Sequence, residues 1–270
     1  MDKSLNIVFF GIDGFSNVVL NSLVGSEHKV LLVITHPYDD KAFKSLSSTC
    51  DKNNIPIIKA SKINSDEVVS RVSDCNPDLC VIAHFERIIK SELLKIPKLG
   101  FINLHPSLLP YYRGLAPQHY PIINGEKEVG ITVHYVDEGT DTGDIILQKR
   151  YPLSEDAYVA DLHMLWMREY KTIVIEAIDS IISHAPVIKQ SKEEGSFYPK
   201  MESKPYPLDK RWTVKEAYNW VRAMSMPYDG VLYDDMVVYK AHILEDGEKP
   251  DDDEPILNFC DGALVAEWYE

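Results

Sequence analysis

Several features that would place a chain quickly in a class are missing from this sequence. Its 4 cysteines contain no Cys-x-x-Cys pair, so buried free thiols in a reducing compartment are expected. No window approaches the roughly 20 apolar residues of a transmembrane helix, and the apolar run at 5–10 is too short for a signal peptide. The sequence therefore predicts a cytoplasmic protein with no membrane partner.

Basic residues are also in short supply. Lys and Arg number 28 against 42 Asp and Glu, which gives a formal net charge of −14. Nucleic-acid binding depends on Lys and Arg that neutralise phosphates, so this balance argues against a general nucleic-acid partner. It leaves room for one anionic small molecule held by a few local cations.

The common catalytic and nucleotide motifs are absent as well. The sequence has no Walker loop, no Gly-x-Ser-x-Gly elbow and no His-Glu-x-x-His motif. Gly11 and Gly14 follow the first predicted strand, but they complete only half of a Gly-x-Gly-x-x-Gly fingerprint. A plain turn, or a turn around Gly11 and Asp13 that lines an anionic substrate, is favoured over a dinucleotide site.

What the sequence does contain is a regular alternation of apolar and polar segments. Strands are predicted at 5–10, 30–34, 55–58, 79–83 and 100–104, with helices between them, including a polar helix over 39–54. This order indicates an α/β fold with a doubly wound, mostly parallel, Rossmann-like sheet. Asn64 and Glu67 predict a capping box for a helix ending near residue 72.

The remainder of the chain predicts the end of this domain and a second one. Segments 130–136 and 144–153 indicate an antiparallel addition, and a helix over 157–184 closes a domain of residues 1–195. Residues 196–270 are predicted to be a linker and a small C-terminal α+β subdomain with a helix over 214–224. Its strands are expected at 231–233, 236–243, 256–259 and 263–268, with a hairpin at Asp261-Gly262. The acidic run 251–254 is expected to be a solvated loop.

The stretch from Phe101 carries the strongest chemical signal. Asn103 and His105 alternate with apolar residues at a strand end, so they project from the same face, and Pro106 and Pro110 then stiffen the following loop. Imidazole can hold or donate a proton near neutral pH, and an amide adds a neutral donor. Asp141, in a later turn, is expected to raise the pKa of His105 and to accept a proton from a nucleophile.

Two other interpretations of the acidic turn stay open at this point. Asp137, Asp141 and Asp144 lie beside glycines and are ordinary turn residues. A metal site that uses these carboxylates with His119 or His134 is the other option, but no regular ligand spacing supports it, so no metal is predicted.

Taken together, these motifs resemble the signature of formyltransferases that use N10-formyltetrahydrofolate. The matching residues are Asn103-x-His105, Pro106-Ser-Leu-Leu-Pro110, Arg113-Gly114, Pro117 and Asp141-Thr-Gly-Asp144. The resemblance implies a catalytic trio of Asn103, His105 and Asp141. Asn103 and protonated His105 would stabilise the oxyanion formed when an amine attacks the formyl group, while Asp141 would orient His105 or a water and help remove the amine proton.

The resemblance also implies a pocket for the pterin ring, formed mainly by main-chain atoms. Where relatives often carry Tyr-Gly, this chain has His84-Phe85. The implied pocket residues are Phe85, Glu86, Arg87, Ile88, Ile89, Val136, Asp137, Glu138, Gly139 and Thr140. A folate-binding module without turnover is an alternative of another class, which the intact trio disfavours.

The acceptor must be inferred from the residues after the core. Methionyl-tRNA formyltransferases carry a basic C-terminal barrel, whereas the tail here is acidic; glycinamide ribonucleotide formyltransferases generally end near the long helix. Formyltetrahydrofolate hydrolases place their additional domain before the core, where this sequence is expected to have none. The resemblance therefore favours sugar N-formyltransferases, which act on nucleotide-linked amino sugars such as dTDP-4-amino-4,6-dideoxyglucose for bacterial O-antigen, and implies a homodimer.

The cations of the linker, to which Lys210 and Arg211 add, form a local positive excess suited to the pyrophosphate of such a substrate. Tyr198, Trp212 and Tyr228 are candidates to stack on its nucleobase, although packing in the core of the small unit is favoured for Trp212 and Trp220. The predicted substrate-binding residues are Gly11, Asp13, Arg113, Tyr198, Lys200, Lys204, Arg222 and Tyr228.

Overall fold

The computed structural model describes residues 4–37, 41–191, 193–251 and 254–270. The strands are β1 (Asn6–Gly11), β2 (Lys29–Thr35), β3 (Ile57–Lys59), β4 (Leu79–Ala83), β5 (Phe101–His105), β6 (Arg113–Gly114), β7 (Glu128–Tyr135), β8 (Ile145–Pro152), β9 (Phe197–Tyr198), β10 (Tyr206–Pro207), β11 (Val231–Tyr233), β12 (Met236–Ile243), β13 (Ile256–Asn258) and β14 (Ala263–Tyr269). The helices are α1 (Gly14–Val24), α2 (Lys41–Asn53), α3 (Asp66–Asp74), α4 (Ser91–Leu94), α5 (Tyr120–Ile123), α6 (Val159–Ile182) and α7 (Val214–Met224). Residues 39 and 40, where the predicted polar helix begins, lie outside the described residues.

The central sheet has seven strands in the order β3-β2-β1-β4-β5-β7-β8. β1 pairs in parallel with β2 and with β4, and β4 pairs in parallel with β5, whereas β7 runs antiparallel to β5. The reversal of strand order between β1 and β4 confirms the doubly wound fold. The carboxyl ends of β1, β4 and β5 share one edge, which is where open α/β sheets bind their ligands.

The apolar strands form a rigid support for that edge. Every residue of β4 is buried, as expected of a parallel strand covered on both faces. Phe10, Ile82 and Phe101, from neighbouring strands, form one buried cluster with Val68 and Val72 of α3. Burying a side chain of this size stabilises the fold by about 1.5–3 kcal/mol, so the strand ends are held firmly in place.

The start of α3 differs from the prediction by one residue. Ser65, not Asn64, is the N-cap, and its hydroxyl accepts a hydrogen bond from the Val68 N–H. The Asn64 amide instead donates to the Ile88 carbonyl at 2.9 Å and accepts from the Lys90 N–H at 2.8 Å. The predicted capping box was wrong because serine and asparagine cap equally well, and a loop distant in sequence engages Asn64.

A five-stranded sheet in the order β10-β11-β12-β14-β13 forms the C-terminal part of the chain. α7 begins with a capping box in which Thr213 and Glu216 bond to each other's backbone N–H groups. β13 and β14 pair antiparallel through Asn258 and Ala263, which confirms the hairpin predicted at Asp261-Gly262. The acidic run predicted as a loop includes residues 252 and 253, which lie outside the described residues.

The chain divides into two compact units, both discontinuous in sequence. The first comprises Met1–Gly114, Gly130–Lys149 and Trp166–Phe197, and the second comprises Leu115–Val129, Arg150–Leu165 and Tyr198–Glu270. A division of the sequence at residue 195 does not anticipate that segments 115–129 and 150–165 group with the C-terminal sheet. The roles assigned to the two predicted domains stay predictions.

Two expectations from composition can be compared with the structure. All four cysteines are free; Cys50 and Cys80 are buried, as expected, whereas Cys75 is half-buried and Cys260 is exposed. Over the described residues, every helix is too short or too polar to cross a membrane.

Candidate active site

Asn103, His105 and Asp141, the three predicted catalytic residues, meet at the carboxyl end of β5. Asn103 and His105 lie on β5, and Asp141 lies in the loop between β7 and β8. The His105 Nδ1 atom is 3.7 Å from Asp141 Oδ2, and the Asn103 Nδ2 group donates to Asp141 Oδ1 at 3.4 Å. The strand alternation and the downstream acidic turn therefore identified groups that are adjacent in the fold.

His105 is buried and has a defined orientation. Its Nε2–H donates to the Tyr112 carbonyl at 2.8 Å, which leaves Nδ1 directed toward Asp141. Desolvation lowers the pKa of His105, and it outweighs the opposite effect of the Asp141 charge. Asp141 does raise the His105 pKa, as expected, but the larger effect of burial makes the net shift a lowering. The resting imidazole is neutral, with an unprotonated Nδ1.

Asp141 remains ionised despite its burial. Desolvation raises its pKa, but His105, His134 and the Gly114 N–H together hold that pKa well below its usual range. The Gly114 N–H donates to Asp141 Oδ2 at 2.9 Å. The site therefore pairs a neutral base with a fixed negative charge.

His134 lies against the Asn103 amide, although the sequence suggested it only as a possible metal ligand. Its Nδ1–H donates to the Tyr135 carbonyl at 2.7 Å, so the Nε2 lone pair faces Asn103 Nδ2 at 3.3 Å. With one amide hydrogen facing His134 and one facing Asp141, the Asn103 side-chain oxygen is the atom left for a substrate. The role of His134 follows from the register between β5 and β7, which pairs Asn103 with His134.

Arg113, predicted to bind substrate, is buried against the loop that carries Asp141. Its Nε–H donates to the Asp141 carbonyl at 3.2 Å, and its terminal nitrogen donates to Gln190 Oε1 at 2.8 Å and to the Ser191 carbonyl at 3.2 Å. The Arg113 guanidinium therefore makes its hydrogen bonds to groups of the protein itself. Contact between Arg113 and a substrate stays a prediction.

The polar side chain in the turn after β1, Asp13, also has its partners within the protein. Asp13 caps α1 by accepting the Ser16 N–H, and its second carboxylate oxygen lies 3.2 Å from His84 Nδ1. Gly11 is required for packing, since a β-carbon there would overlap Ser16. The Asp13 carboxylate already occupies the amino end of α1, which disfavours an anion at that position. The substrate contacts of Gly11 and Asp13 stay predictions.

The two loops implied in pterin binding border the same apolar cluster. Phe85 and Val136 both pack against the cluster around Phe10 and Phe101, and Ile89 is buried within it. Residues 86–88 and 137–140 are exposed. Asp137 shapes its loop by accepting hydrogen bonds from the Gly139 N–H at 3.0 Å and the Thr142 hydroxyl at 2.6 Å. An apolar floor edged by exposed main chain suits a flat heterocycle, and this pocket stays a prediction.

Arg222, predicted to bind substrate, is buried in the second unit. It is 2% exposed, and its guanidinium donates to the Ala157 carbonyl at 2.7 Å and to Asn219 Oδ1 at 2.6 Å. This burial disfavours contact between the Arg222 guanidinium and the pyrophosphate of a substrate, and that contact stays a prediction.

The other predicted cations lie on the surface of the second unit. Lys204 pairs with Glu202, Lys210 pairs with Asp234 at 2.8 Å, and Arg211 pairs with Asp209 at 2.5 Å. Exposed ion pairs are weak, so these cations remain able to exchange a carboxylate for a phosphate. Binding by Lys200 and Lys204 stays a prediction.

Aromatic rings of the second unit stack on one another. Trp220 lies against Tyr206 with a centroid distance of 3.8 Å and against Trp212 at 5.9 Å, which confirms that both tryptophans pack within this unit. Tyr198 stacks on Tyr120 at 3.9 Å. The Tyr228 hydroxyl lies 3.1 Å from both Gln118 Nε2 and His163 Nε2. Roles for Tyr198 and Tyr228 in base stacking stay predictions.

The geometry around the acidic turn gives no support to the metal alternative. Over the part of the chain that the structure describes, no three His, Cys, Asp or Glu side chains converge in a way that could hold a metal ion. His134, one of the suggested ligands, is instead committed to Tyr135 and Asn103.

Comparison with known proteins agrees with this geometry. A family model described as formyl transferase matches residues 5–178. The methionyl-tRNA formyltransferase of Clostridioides difficile is 33% identical over 257 residues, which cover 92% of this chain and 83% of that protein.

Solved structures share the fold over almost the whole chain. The sugar 3N-formyl transferase WlaRD, crystallised in the presence of dTDP and 5-N-formyl-THF, superposes with a TM-score of 0.75 at 23% identity and 97% coverage of both chains. The N-formyltransferase from Helicobacter canadensis, in complex with folinic acid and dTDP-3-aminofucose, has a TM-score of 0.75 at 22% identity, covering 96% of this chain and 98% of that chain. The family match over residues 5–178 and the 33% identity to a curated relative lead to one assignment: the chain belongs to the formyl transferase family.

Proposed function

We propose that this formyltransferase transfers the formyl group of N10-formyltetrahydrofolate to the primary amine of a nucleotide-linked amino sugar. The observation that carries the proposal is the neutral His105 imidazole, whose Nδ1 faces the ionised Asp141 carboxylate beside the Asn103 amide. Transfer to an amine requires a base that can hold a proton for a short time, and this arrangement supplies one.

The reaction moves a proton as well as a formyl group. A bond forms between the acceptor nitrogen and the formyl carbon, and the bond from that carbon to N10 of the folate breaks. His105 Nδ1 accepts the proton that the attacking amine loses, and the Asp141 carboxylate stabilises the resulting imidazolium. The imidazolium then donates the proton to N10 as it leaves, so the base is regenerated in each turnover.

Asn103 has a different role here from the one first inferred. Its two amide hydrogens face His134 and Asp141, so its side-chain oxygen is directed to the substrate. That oxygen accepts a hydrogen bond from the amine and aims the nitrogen lone pair at the formyl carbon. The oxyanion is then stabilised by the imidazolium of His105 rather than by the Asn103 amide.

An amino sugar linked to dTDP is the acceptor favoured by the comparisons. The fold match covers 97% of this chain and 97% of a sugar 3N-formyl transferase, and the Helicobacter canadensis protein binds a dTDP-linked amino sugar. The net charge of −14 opposes binding to tRNA, because phosphate contacts depend on Lys and Arg. A 4-amino sugar such as dTDP-4-amino-4,6-dideoxyglucose, use in O-antigen synthesis and a homodimer remain parts of the proposal.

Methionyl-tRNA is the second candidate acceptor. The observation that favours it is sequence identity, which is 33% to the Clostridioides difficile methionyl-tRNA formyltransferase and 23% to the sugar enzyme. Overall identity does not by itself distinguish one amine acceptor from another.

A formyl-transfer assay with a panel of acceptors tests the proposal. The protein is incubated with N10-formyltetrahydrofolate and, separately, with dTDP-4-amino-4,6-dideoxyglucose, its 3-amino isomer, a UDP-linked 4-amino sugar and initiator methionyl-tRNA. The variant His105→Asn is the control for chemistry that depends on the site. Product from a dTDP sugar that is lost in His105→Asn supports the proposal.

Two other results of this assay would change the proposal. Product from tRNA alone would retain the mechanism and replace the acceptor. No product from any acceptor, with folate bound, would instead support a folate-binding module without turnover.

A further inference from the structure

The chain after α6 lies along the two loops that carry the catalytic groups. This segment, residues 188–191 and 193–197, is called the strap below. It begins at Ile188, which forms an antiparallel bridge with Ile145 just after the Asp141 loop. It ends where the Ser196 carbonyl accepts the Arg113 N–H at 2.9 Å. The strap thus contacts the loops of both Asp141 and His105.

The Gln190 side chain binds main-chain carbonyl groups of the loop that carries Asp141. Its Nε2 donates to the Asp141 carbonyl at 3.0 Å and to the Gly143 carbonyl at 2.6 Å. Its Oε1 accepts from the Arg113 guanidinium at 2.8 Å. One amide side chain therefore satisfies two carbonyls of the Asp141 loop and anchors the arginine that binds the same loop.

The backbone conformation of Asp141, which Gln190 stabilises, is unfavourable by itself. Asp141 has φ 53°, in the left-handed region, which costs a non-glycine residue free energy unless its surroundings compensate. Without the bonds from Gln190 and Arg113, the peptide is expected to relax toward φ < 0. That rotation would swing the carboxylate away from His105 Nδ1.

Ser196 supports His105 in the same indirect way. Its hydroxyl accepts the Tyr112 N–H at 2.9 Å, and Tyr112 is also left-handed, with φ 62°. The Tyr112 carbonyl is the group that receives the His105 Nε2–H. Ser196 thereby fixes which imidazole nitrogen carries the resting proton.

Close packing of the strap is built into its sequence. Gly195 has φ 114°, and a β-carbon at this position would overlap the Pro110 carbonyl oxygen. Only glycine permits this approach. The Ser196 N–H, which follows directly, donates to the same Pro110 carbonyl at 3.3 Å.

We propose that Gln190 and Ser196 are positioning residues of the formyl-transfer site: Gln190 holds the Asp141 carboxylate beside His105 Nδ1, and Ser196 holds the carbonyl that selects the His105 tautomer. The inference rests on the roles proposed above for His105 and Asp141. It adds a long-range requirement, because the catalytic geometry depends on a segment that follows the last helix of the catalytic core.

The first test measures the titration of His105 by NMR in the protein without substrates. The charged and titratable groups that act on His105 are Asp141, His134 and His84, and its resonance is identified by its loss in His105→Asn. In Gln190→Ala the carboxylate moves away, so the His105 pKa should fall. Gln148→Ala is the matched comparison, since that amide donates to Leu109 and Thr132 and should leave the His105 pKa unchanged.

The second test measures turnover. Gln190→Ala should lower kcat by roughly 10- to 100-fold, the effect of a misplacement of about 1 Å, with KM for both substrates nearly unchanged. The acid limb of its pH profile should move to lower pH together with the His105 pKa. Gln190→Glu should be as impaired as Gln190→Ala, because a carboxylate cannot donate to the Asp141 and Gly143 carbonyls.

Each outcome bears on the proposal. An unchanged His105 pKa in folded Gln190→Ala, an equal shift in Gln148→Ala, or full activity in Gln190→Glu would overturn it for Gln190. If Gln190→Ala does not fold, Ser196→Ala, with Ser183→Ala as the exposed-serine control, must lower kcat or the proposal fails for Ser196. Because the titration needs no acceptor, a wrong acceptor in the proposed function would leave this result unaffected.

Discussion

Titratable side chains serve opposite purposes at the predicted catalytic edge of the central sheet and on the surface of the second unit. His105 is buried and donates to the Tyr112 carbonyl, and Asp141 is half-buried and accepts hydrogen bonds from Asn103 and the Gly114 N–H. Lys204, Lys210 and Arg211 lie in solvent with one carboxylate partner each. A buried charge is fixed in place and tuned by its neighbours, whereas an exposed pair is weak and can exchange partners. Substitutions at the buried groups should therefore have larger effects than substitutions at the exposed ion pairs.

The largest effect is expected from Asp141→Asn. The amide keeps the shape of the carboxylate and tolerates the left-handed backbone, but it cannot stabilise an imidazolium at His105. We expect kcat to fall by about 10²- to 10⁴-fold and the thermal midpoint to fall as well, because one amide oxygen cannot replace the two carboxylate oxygens that accept from Asn103 and Gly114. Single-turnover transfer measures the effect, and activity within a few-fold of the wild type would show that the charge of Asp141 is not used.

Mild acid should destabilise the chain through His119 of the second unit. The buried His119 Nδ1–H donates to the Ala223 carbonyl at 2.8 Å, and burial lowers the pKa of His119 from 6.5 to about 4. The unfolded chain binds a proton that the folded unit excludes, so stability should fall as pH drops from 6.5 to 4, by up to roughly 3 kcal/mol.

Urea midpoints at pH 7 and pH 5 measure this dependence. His119→Asn removes the titrating ring but keeps an N–H donor, so its midpoint should change less between the two pH values. Parallel behaviour of the variant and the wild type would exclude His119 as the cause.

Arg222→Met tests whether the buried guanidinium stabilises the second unit or binds substrate. The variant leaves the Ala157 carbonyl and Asn219 Oδ1 without their donors, so we expect a loss of about 1–3 kcal/mol of unfolding free energy. KM for the nucleotide sugar should stay the same in the protein that remains folded. A large rise in KM with unchanged stability would instead restore the pyrophosphate contact predicted from the sequence.

The smallest effect is expected from Lys204→Gln. Because Lys204 is exposed, the variant should unfold at the same urea concentration as the wild type. If Lys204 exchanges Glu202 for a phosphate, KM for the nucleotide sugar should rise severalfold, and the rise should shrink at high salt. Lys98→Gln, which removes an exposed pair with Asp78 in the first unit, is the control. Equal KM values for both variants would remove Lys204 from the binding surface.

The sequence predicted the catalytic edge because its information is local. Asn103 and His105 are two residues apart on one strand, and the period of a strand alone places them on one face. The strands that support them are continuous apolar runs, which are visible without any tertiary contact. The sequence indicated that Asp141 raises the His105 pKa, but not the larger lowering by desolvation, which depends on packing that the sequence does not display.

The remaining features depend on contacts between distant segments. Gln190 lies 49 residues from the Asp141 carbonyl that it binds, and no periodic pattern links the two positions. Arg222 occupies the last turn of α7, where a basic residue is ordinarily a solvated helix end. Its burial follows from the Ala157 carbonyl, 65 residues away. Single-sequence patterns therefore identified the chemical groups but not the residues that hold them.

The stacked rings of Tyr206, Trp220 and Trp212 have a spectroscopic consequence. Two indoles with centroids 5.9 Å apart couple electronically, and such coupling gives a paired band in circular dichroism that an isolated indole lacks. Both indoles lie in the second unit, and so does Trp268, whereas Trp166 lies in the first. The paired band therefore follows the unfolding of the second unit, and its comparison with the far-ultraviolet signal of the whole chain shows whether the two units unfold together.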